Sequence, residues 1–310
     1  MKPIAAACLL LSSLGVLTAC SQQLPDYATP VRISGDIGSP PSIAVPSSKP
    51  PKGESAETIS EGKGELIKKG DWVKFNVTSK VWGKKSSVST YNKEGGAHPE
   101  VLHLGSQKEI PVFLTKIIGH RIGGRFLFTN PADKIFPNSQ GRLPDGISVS
   151  DTIVTVVDVV SATQVPNRFN AGSSSGTSEL RLGMIGTKSP VLSVSGDYKP
   201  SLKVDAHVLT KGSGKRLRKG DTVVANFAGF NLPDATRFQS TWGSASPFAF
   251  ELGAHQVIAG WDQALDGSRV GDRLLVEVPP SLGYGKKPPV HSNIKPNSNT
   301  AFLIDILGAL

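Results

Sequence analysis

The apolar positions of this chain fall in short runs set apart by turn residues. Val223-Val224-Ala225-Asn226-Phe227, Phe248-Ala249-Phe250, Leu274-Leu275-Val276-Glu277-Val278 and the stretch from Phe302 to Leu307 each suit a β-strand. No apolar stripe of helical period runs beyond about two turns. Ile258, Trp261 and Leu265, spaced i, i+3, i+7, predict one short helix. Glycine (33) and proline (23) are plentiful and supply the turns. The pattern predicts an α+β fold that is mainly antiparallel β.

The pattern occurs twice. Gly62, Gly64, Lys69, Gly70, Asp71, Val73 and Asn76 recur 150 positions later as Gly212, Gly214, Lys219, Gly220, Asp221, Val223 and Asn226. Leu104, Gly105, Ile110, Gly119, Arg121, Gly123, Arg125 and Pro131 recur 148 positions later as Leu252, Gly253, Ile258, Gly267, Arg269, Gly271, Arg273 and Pro279. A near-constant offset over a whole domain length argues duplication. We expect tandem domains at 55–162 and 191–310. A Pro/Ser-rich tether (20–54) precedes them, because Pro40 to Pro51 cannot bury a core. A Gly/Ser-rich linker (163–190) separates them, with Asn170-Ala171-Gly172-Ser173-Ser174-Ser175-Gly176 at its centre. That linker fits the hydrolase elbow G-x-S-x-G, but no apolar strand leads into it, so it reads as chance composition.

The N-terminus changes the picture. Met1-Lys2-Pro3 is followed by an uncharged run from Ile4 to Ala19, too short for the ~20 residues that span a bilayer core. A basic start and an apolar stretch ending in small residues predict a secretory signal over 1–19. Leu17-Thr18-Ala19-Cys20 resembles the lipobox of bacterial lipoproteins, which implies cleavage before Cys20 and a thioether lipid on its sulfur. The expected location is the extracytoplasmic face of the cell membrane, anchored by two or three acyl chains where one would be marginal. The other cysteine, Cys8, lies in the removed segment, so the mature chain has no thiol for a disulfide, a nucleophile or a Cys-type metal site. Stability must come from packed cores, and about 290 residues is enough for two.

Net charge is +9, spread thinly apart from Lys211, Lys215, Arg216, Arg218 and Lys219. Outside the cytoplasm that cluster argues a solvated loop rather than nucleic-acid binding. The six histidines (98, 103, 120, 207, 255, 291) lack metal-ligand spacing, so no metal and no cofactor are expected.

The second copy carries the chemistry. Val257-Ile258-Ala259-Gly260-Trp261-Asp262-Gln263-Ala264, Val270-Gly271-Asp272-Arg273 and Pro279-Pro280-Ser281-Leu282-Gly283-Tyr284-Gly285 stand in that order. Pro247-Phe248-Ala249-Phe250-Glu251-Leu252-Gly253 precedes them and Ile294-Lys295-Pro296-Asn297-Ser298-Asn299-Thr300-Ala301-Phe302 follows. Together they resemble the FKBP family of peptidyl-prolyl cis-trans isomerases over about 200–310. The resemblance implies a half-barrel sheet in each copy, with a short helix across the concave face and an apolar pocket between them. It makes Trp261 the floor and Phe227, Phe238, Phe248, Val257, Ile258 and Phe302 the walls. The Ile258 N–H and the Tyr284 hydroxyl would bond the substrate, and Ile294 would sit on a loop over the mouth. It further implies proline-containing exported polypeptides as partners and tacrolimus-type macrolides as inhibitors. Trp261, Ile258, Tyr284 and Phe302 are the catalytic candidates. Phe227, Phe238, Gln239, Phe248, Val257 and Ile294 are the substrate-binding ones.

Isomerisation needs no bond broken. The X-Pro amide must rotate over a barrier near ~18–20 kcal/mol set by resonance. The twisted amide is less polar than the planar one, so a dry aromatic cup favours it. A thousandfold to millionfold gain requires ~4–8 kcal/mol of such differential binding.

Two positions depart from the family pattern: Phe227 stands where typical members have Tyr, and Gln239 where they have Asp. In the family those side chains bond each other beside the pocket. Both ends have changed together, leaving no lone buried hydroxyl or carboxylate; the change bears on rate and affinity, not on the fold. The first copy has drifted further. Phe113 stands for Trp261, Phe136 for Tyr284, Val77 for Phe227, Thr155 for Phe302 and Glu100 for Phe248. A carboxylate in an apolar wall would cost several kcal/mol unless turned outward, so 55–162 reads as a degenerate domain without isomerase activity. Pro111 still suits the first turn of its short helix. The leading function is a prolyl isomerase acting on exported proteins. The rival is a non-catalytic substrate-binding or chaperone lipoprotein of the cell envelope.

Overall fold

The computed structural model describes residues 30–91, 99–104, 112–136, 143, 146–165, 174–185, 189–242 and 247–310. The expected signal peptide, Cys20, Pro111 and the linker centre at 166–173 lie outside them. The described residues open with a hairpin of β1 (Arg32–Ser34) and β2 (Ser42–Ala44). A six-stranded antiparallel sheet follows, made of β3 (Ser55–Ser60), β4 (Asp71–Val81), β5 (Ser87–Ser89), β6 (Glu100–His103), β7 (Arg125–Pro131) and β8 (Thr152–Gln164). A 3-10 helix (Val112–Ile117) and the single turn α1 (Ala132–Ile135) interrupt it. Three strands then pair together: β9 (Ser174–Gly176), β10 (Leu180–Ile185) and β11 (Ser189–Val194). The second large sheet comprises β12 (Asp205–Thr210), β13 (Thr222–Asn231), β14 (Arg237–Ser240), β15 (Phe248–Glu251), β16 (Arg273–Val278) and β17 (Thr300–Ala309). The helix α2 (Ala259–Leu265) lies between β15 and β16.

The two large sheets match strand for strand. The first runs β3-β7-β8-β4-β5 with β6 on β4; the second runs β12-β16-β17-β13-β14 with β15 on β13. Registers match as well: Phe75 opposes Glu100 as Ala225 opposes Phe248, and Arg125 opposes Asp158 as Arg273 opposes Asp305. Each arginine meets its aspartate through two bonds of 2.6 Å in a buried site. Removing one partner of such a buried pair costs ~3–5 kcal/mol, because a lone charge is left inside.

Alternation along the strands gives each sheet two apolar faces. In the second sheet, Val223, Ala225, Phe227, Val276, Phe302 and Ile304 face α2 and form the main core with Trp261 and Leu265. The opposite face presents Ala228, Phe230, Leu275 and Leu303, which Leu180, Leu182 and Leu192 of β10 and β11 cover. In the first sheet the hairpin plays the covering part, with Ile43 buried against Leu127, Val154 and Val156. Arg125 also donates to the carbonyls of Gly35, Asp36 and Ser39 in the hairpin turn.

The segments expected as tether and linker therefore contain folded elements. Their Gly, Ser and Pro content conceals short alternating runs, Leu180-Arg181-Leu182 among them. Burying each such leucine contributes roughly 1.5–3 kcal/mol, which the back of a one-layer sheet needs.

Candidate active site

The floor of the second domain's concave face is Trp261, buried on α2. The helix can lie this close to the sheet because residue 260 is glycine: a Cβ there would stand 2.4 Å from Cγ1 of Val278. Asp262, in the first turn, accepts the Gly253 N–H at 2.8 Å and fixes the helix to the loop before it.

Three rings meet the indole edge-on, with centroids 5.1 Å away for Phe227, 5.3 Å for Phe302 and 5.6 Å for Phe250. Phe238 continues the wall, 5.9 Å from Phe302 and 6.0 Å from Tyr284. Phe248 lies 5.8 Å from Phe227 and 5.4 Å from Phe250, and at 38% exposure it is a rim residue rather than an inner wall. Such ring pairs contribute ~0.5–1.5 kcal/mol each beyond area burial and so fix the cup's shape. Val257, Ile258 and Tyr284 are half-buried against the same cluster.

Three donors at this cup have no internal partner among the described residues. Ile258 is the N-cap of α2 in extended conformation, and its carbonyl accepts the Trp261 N–H at 2.9 Å while its own N–H stays unpaired. Helix N-termini leave such groups free by construction. The Tyr284 hydroxyl is likewise unpaired, and burial pushes its pKa above the ordinary tyrosine value. It therefore stays a neutral donor at physiological pH. The indole Nε1 of Trp261 is also buried without a partner.

Ile294 is buried on the loop between Tyr284 and β17. Buried Asn231 at the end of β13 anchors that loop. Its Oδ1 accepts the Lys295 N–H at 2.9 Å and its Nδ2 donates to the Asn293 carbonyl at 3.0 Å. Lys295 also pairs with Asp234 at 2.5 Å, which holds the Asp234 carboxyl below the usual carboxylate range.

The structure gathers Trp261, Phe302, Phe227, Phe238, Phe248, Val257, Ile258 and Tyr284 around the indole, while Ile294 and Gln239 lie outside that cluster. Gln239 pairs with Gly229 across β14 and β13, beside a register shift at Phe238 that breaks simple alternation, and it is exposed. Phe227 meets Phe248 and Trp261 within the main core, and no bond joins it to the Gln239 side chain among the described residues. Three contributors were not foreseen. Phe250 could have been found from its i, i+2 spacing to Phe248. Gly229 and Asn231 act through contacts that no local pattern announces.

The first domain keeps the frame without the cup. Glu100, at Phe248's place, is exposed. Thr155, at Phe302's place, is buried with its hydroxyl 3.1 Å from that of Ser79, which stands where the second domain has Gly229. Val77 and Phe136 are half-buried, and the side chain of Phe113 lies outside the described residues.

A family model described as FKBP-type peptidyl-prolyl cis-trans isomerase matches residues 214–307. The FK506-binding protein of Streptomyces anulatus is 33% identical over 97 residues, 31% of this chain and 78% of that protein. The chain belongs to the FKBP family. The peptidyl-prolyl cis-trans isomerase FKBP53 of Arabidopsis thaliana is 38% identical over 110 residues, 36% of this chain but only 23% of that longer protein. The crystal structure of a multi-domain immunophilin from Arabidopsis thaliana aligns over 35% of this chain and 43% of that one, at 23% identity and a TM-score of 0.33.

Proposed function

We propose that the C-terminal FKBP domain isomerises X-Pro bonds of exported polypeptides outside the cytoplasm. One observation carries the reading: an aromatic cluster around Trp261 flanked by the Ile258 N–H and the Tyr284 hydroxyl, both without an internal partner among the described residues, in a chain of this family. In this reading the proline ring enters over the Trp261 indole, walled by Phe227, Phe238 and Phe302. The Ile258 N–H takes the carbonyl on one side of the proline and Tyr284 a carbonyl of the flanking chain. With one end held, the other is free to rotate about the imide. The apolar cup favours the twisted, less polar state over the planar one, which is differential binding of the transition state. Phe248 and Ile294, at rim and loop, would contact residues beside the proline. Tacrolimus-type macrolides, whose pipecolyl ring imitates proline, would fill the same cup.

Location belongs to the same proposal. Lipid on Cys20 would hold the protein on the extracytoplasmic face of the membrane, where newly exported chains emerge unfolded. The first domain, lacking the aromatic wall, would not isomerise.

A protease-coupled assay on X-Pro peptides with the full chain tests the proposal. Acceleration that a tacrolimus-type macrolide abolishes is the expected result. A rate equal to the uncatalysed one would overturn the assignment.

A further inference from the structure

Strand β15 carries two of the cup's rings, Phe248 and Phe250, yet it is only four residues long and pairs with β13 alone. A strand held along one edge opens readily unless its other face is packed. By alternation its reverse face presents Ala249 and Glu251, and what lies behind them is the first domain. Trp72, Val101 and Val165 of that domain pack with Val224, Ala249 and Leu307 of the second in one buried cluster. Lys74 reaches Glu251 at 3.7 Å. The fit is close at Gly308, where a Cβ would stand 2.6 Å from Cγ2 of Val165. Trp72 is itself held flat on His103, with centroids 5.1 Å apart and planes 13° from parallel.

The two domains meet through corresponding positions of one strand pair. Lys74 opposes Val101 across β4 and β6 as Val224 opposes Ala249 across β13 and β15. The match is partial, since Val160, at Leu307's place in the first domain, is exposed. Drift has made it unequal: the first copy supplies the bulk, Trp72 and Lys74, and the second supplies small Ala249 and the strand with the cup's wall.

We propose that the first domain braces the isomerase pocket from behind, and that Trp72 and the Lys74–Glu251 pair are positioning residues for Phe248 and Phe250. The proposal rests on the isomerase reading for its catalytic part only. It gives the degenerate domain a task that needs no pocket of its own, and it makes the two domains one mechanical unit.

The test uses the full chain and the variants Trp72→Ala, Glu251→Lys and Lys74→Glu/Glu251→Lys. Hydrogen exchange of the amides at 248–251 reports the strand without reference to activity. Trp72→Ala and Glu251→Lys should speed that exchange while leaving β16 protected, and should raise KM about three- to tenfold with a smaller change in kcat. The exchanged pair Lys74→Glu/Glu251→Lys should restore both readouts, which general destabilisation would not do. Unchanged exchange at 248–251 in both Trp72→Ala and Glu251→Lys overturns the proposal. If the wild type fails to isomerise, the functional reading falls while the exchange data still decide whether the brace exists.

Discussion

Phe238 lies across the backbone of Gly229: a Cβ at residue 229 would stand 2.5 Å from Cζ of that ring and 3.0 Å from Cε1 of Phe302. The two walls of the cup therefore meet over the one residue of β13 without a side chain. Gly229→Ala forces both rings outward into a packed core, an overpacking that costs ~1–3 kcal/mol. Denaturant unfolding should show that loss, and isomerase activity should fall by more than the fraction unfolded. Wild-type activity in a folded Gly229→Ala protein would show that the ring positions do not matter.

Tyr284 gives a contrasting case, because its hydroxyl supports no internal bond. Tyr284→Phe should leave stability within ~0.5 kcal/mol of wild type. If the hydroxyl bonds substrate, kcat/KM should drop roughly two- to twelvefold, the equivalent of one bond of ~0.5–1.5 kcal/mol. The pH dependence follows from the raised pKa. The protonated hydroxyl is the donor, and a folded-state value above ~10 keeps it protonated at every pH below that. Activity should thus show no tyrosine limb between about pH 6 and 9. The stability that the buried neutral hydroxyl contributes is present below pH ~10 and lost as pH rises through the folded value. An alkaline limb below pH 9 that disappears in Tyr284→Phe would contradict this environment.

Much of this site was legible in the sequence for a definite reason. The resemblance to the family supplies the floor and walls, and the periods agree with it: Trp261 and Leu265 fall on one helical face and Phe227 and Ala225 on one strand face. What the periods do not supply is of two kinds. The place of Gln239 rests on the resemblance alone, because the register shift at Phe238 keeps alternation from deciding its side. The covering elements β1–β2 and β9–β11 were hidden because composition averages over segments in which a few residues, Ile43 or Leu182, carry the packing. Gly229 and Asn231 depend on long-range approach and hydrogen bonds that exist only once the chain has folded.

Cys20 offers a test of location independent of the pocket. A serine there cannot form the thioether, so Cys20→Ser should leave the membrane fraction and enter the periplasm or medium. Two or more acyl chains anchor stably, and nothing else proposed for this chain would replace them. Membrane retention of Cys20→Ser at the wild-type level would refute lipid anchoring.

Trp261→Leu separates the two domains without cutting the chain. Truncating a buried tryptophan to alanine costs ~3–5 kcal/mol through lost contacts and the cavity left behind. Leucine refills part of that cavity and should cost less. It also removes the indole Nε1–H, which is buried without a partner and carries a desolvation penalty of ~1–3 kcal/mol in the wild type. The variant should therefore fold, with both sheets intact by circular dichroism. The surface on which the proline ring would twist is gone, however, and with it the edges that orient Phe227, Phe250 and Phe302. A loss of ~2 kcal/mol or more in transition-state binding is about thirtyfold in rate. Activity of the whole protein should fall by at least that factor, because the first domain has Thr155 and Ser79 where the second has Phe302 and Gly229. Substantial activity remaining in a folded Trp261→Leu protein would mean that the first domain isomerises as well, and the division of labour between the two copies would be wrong.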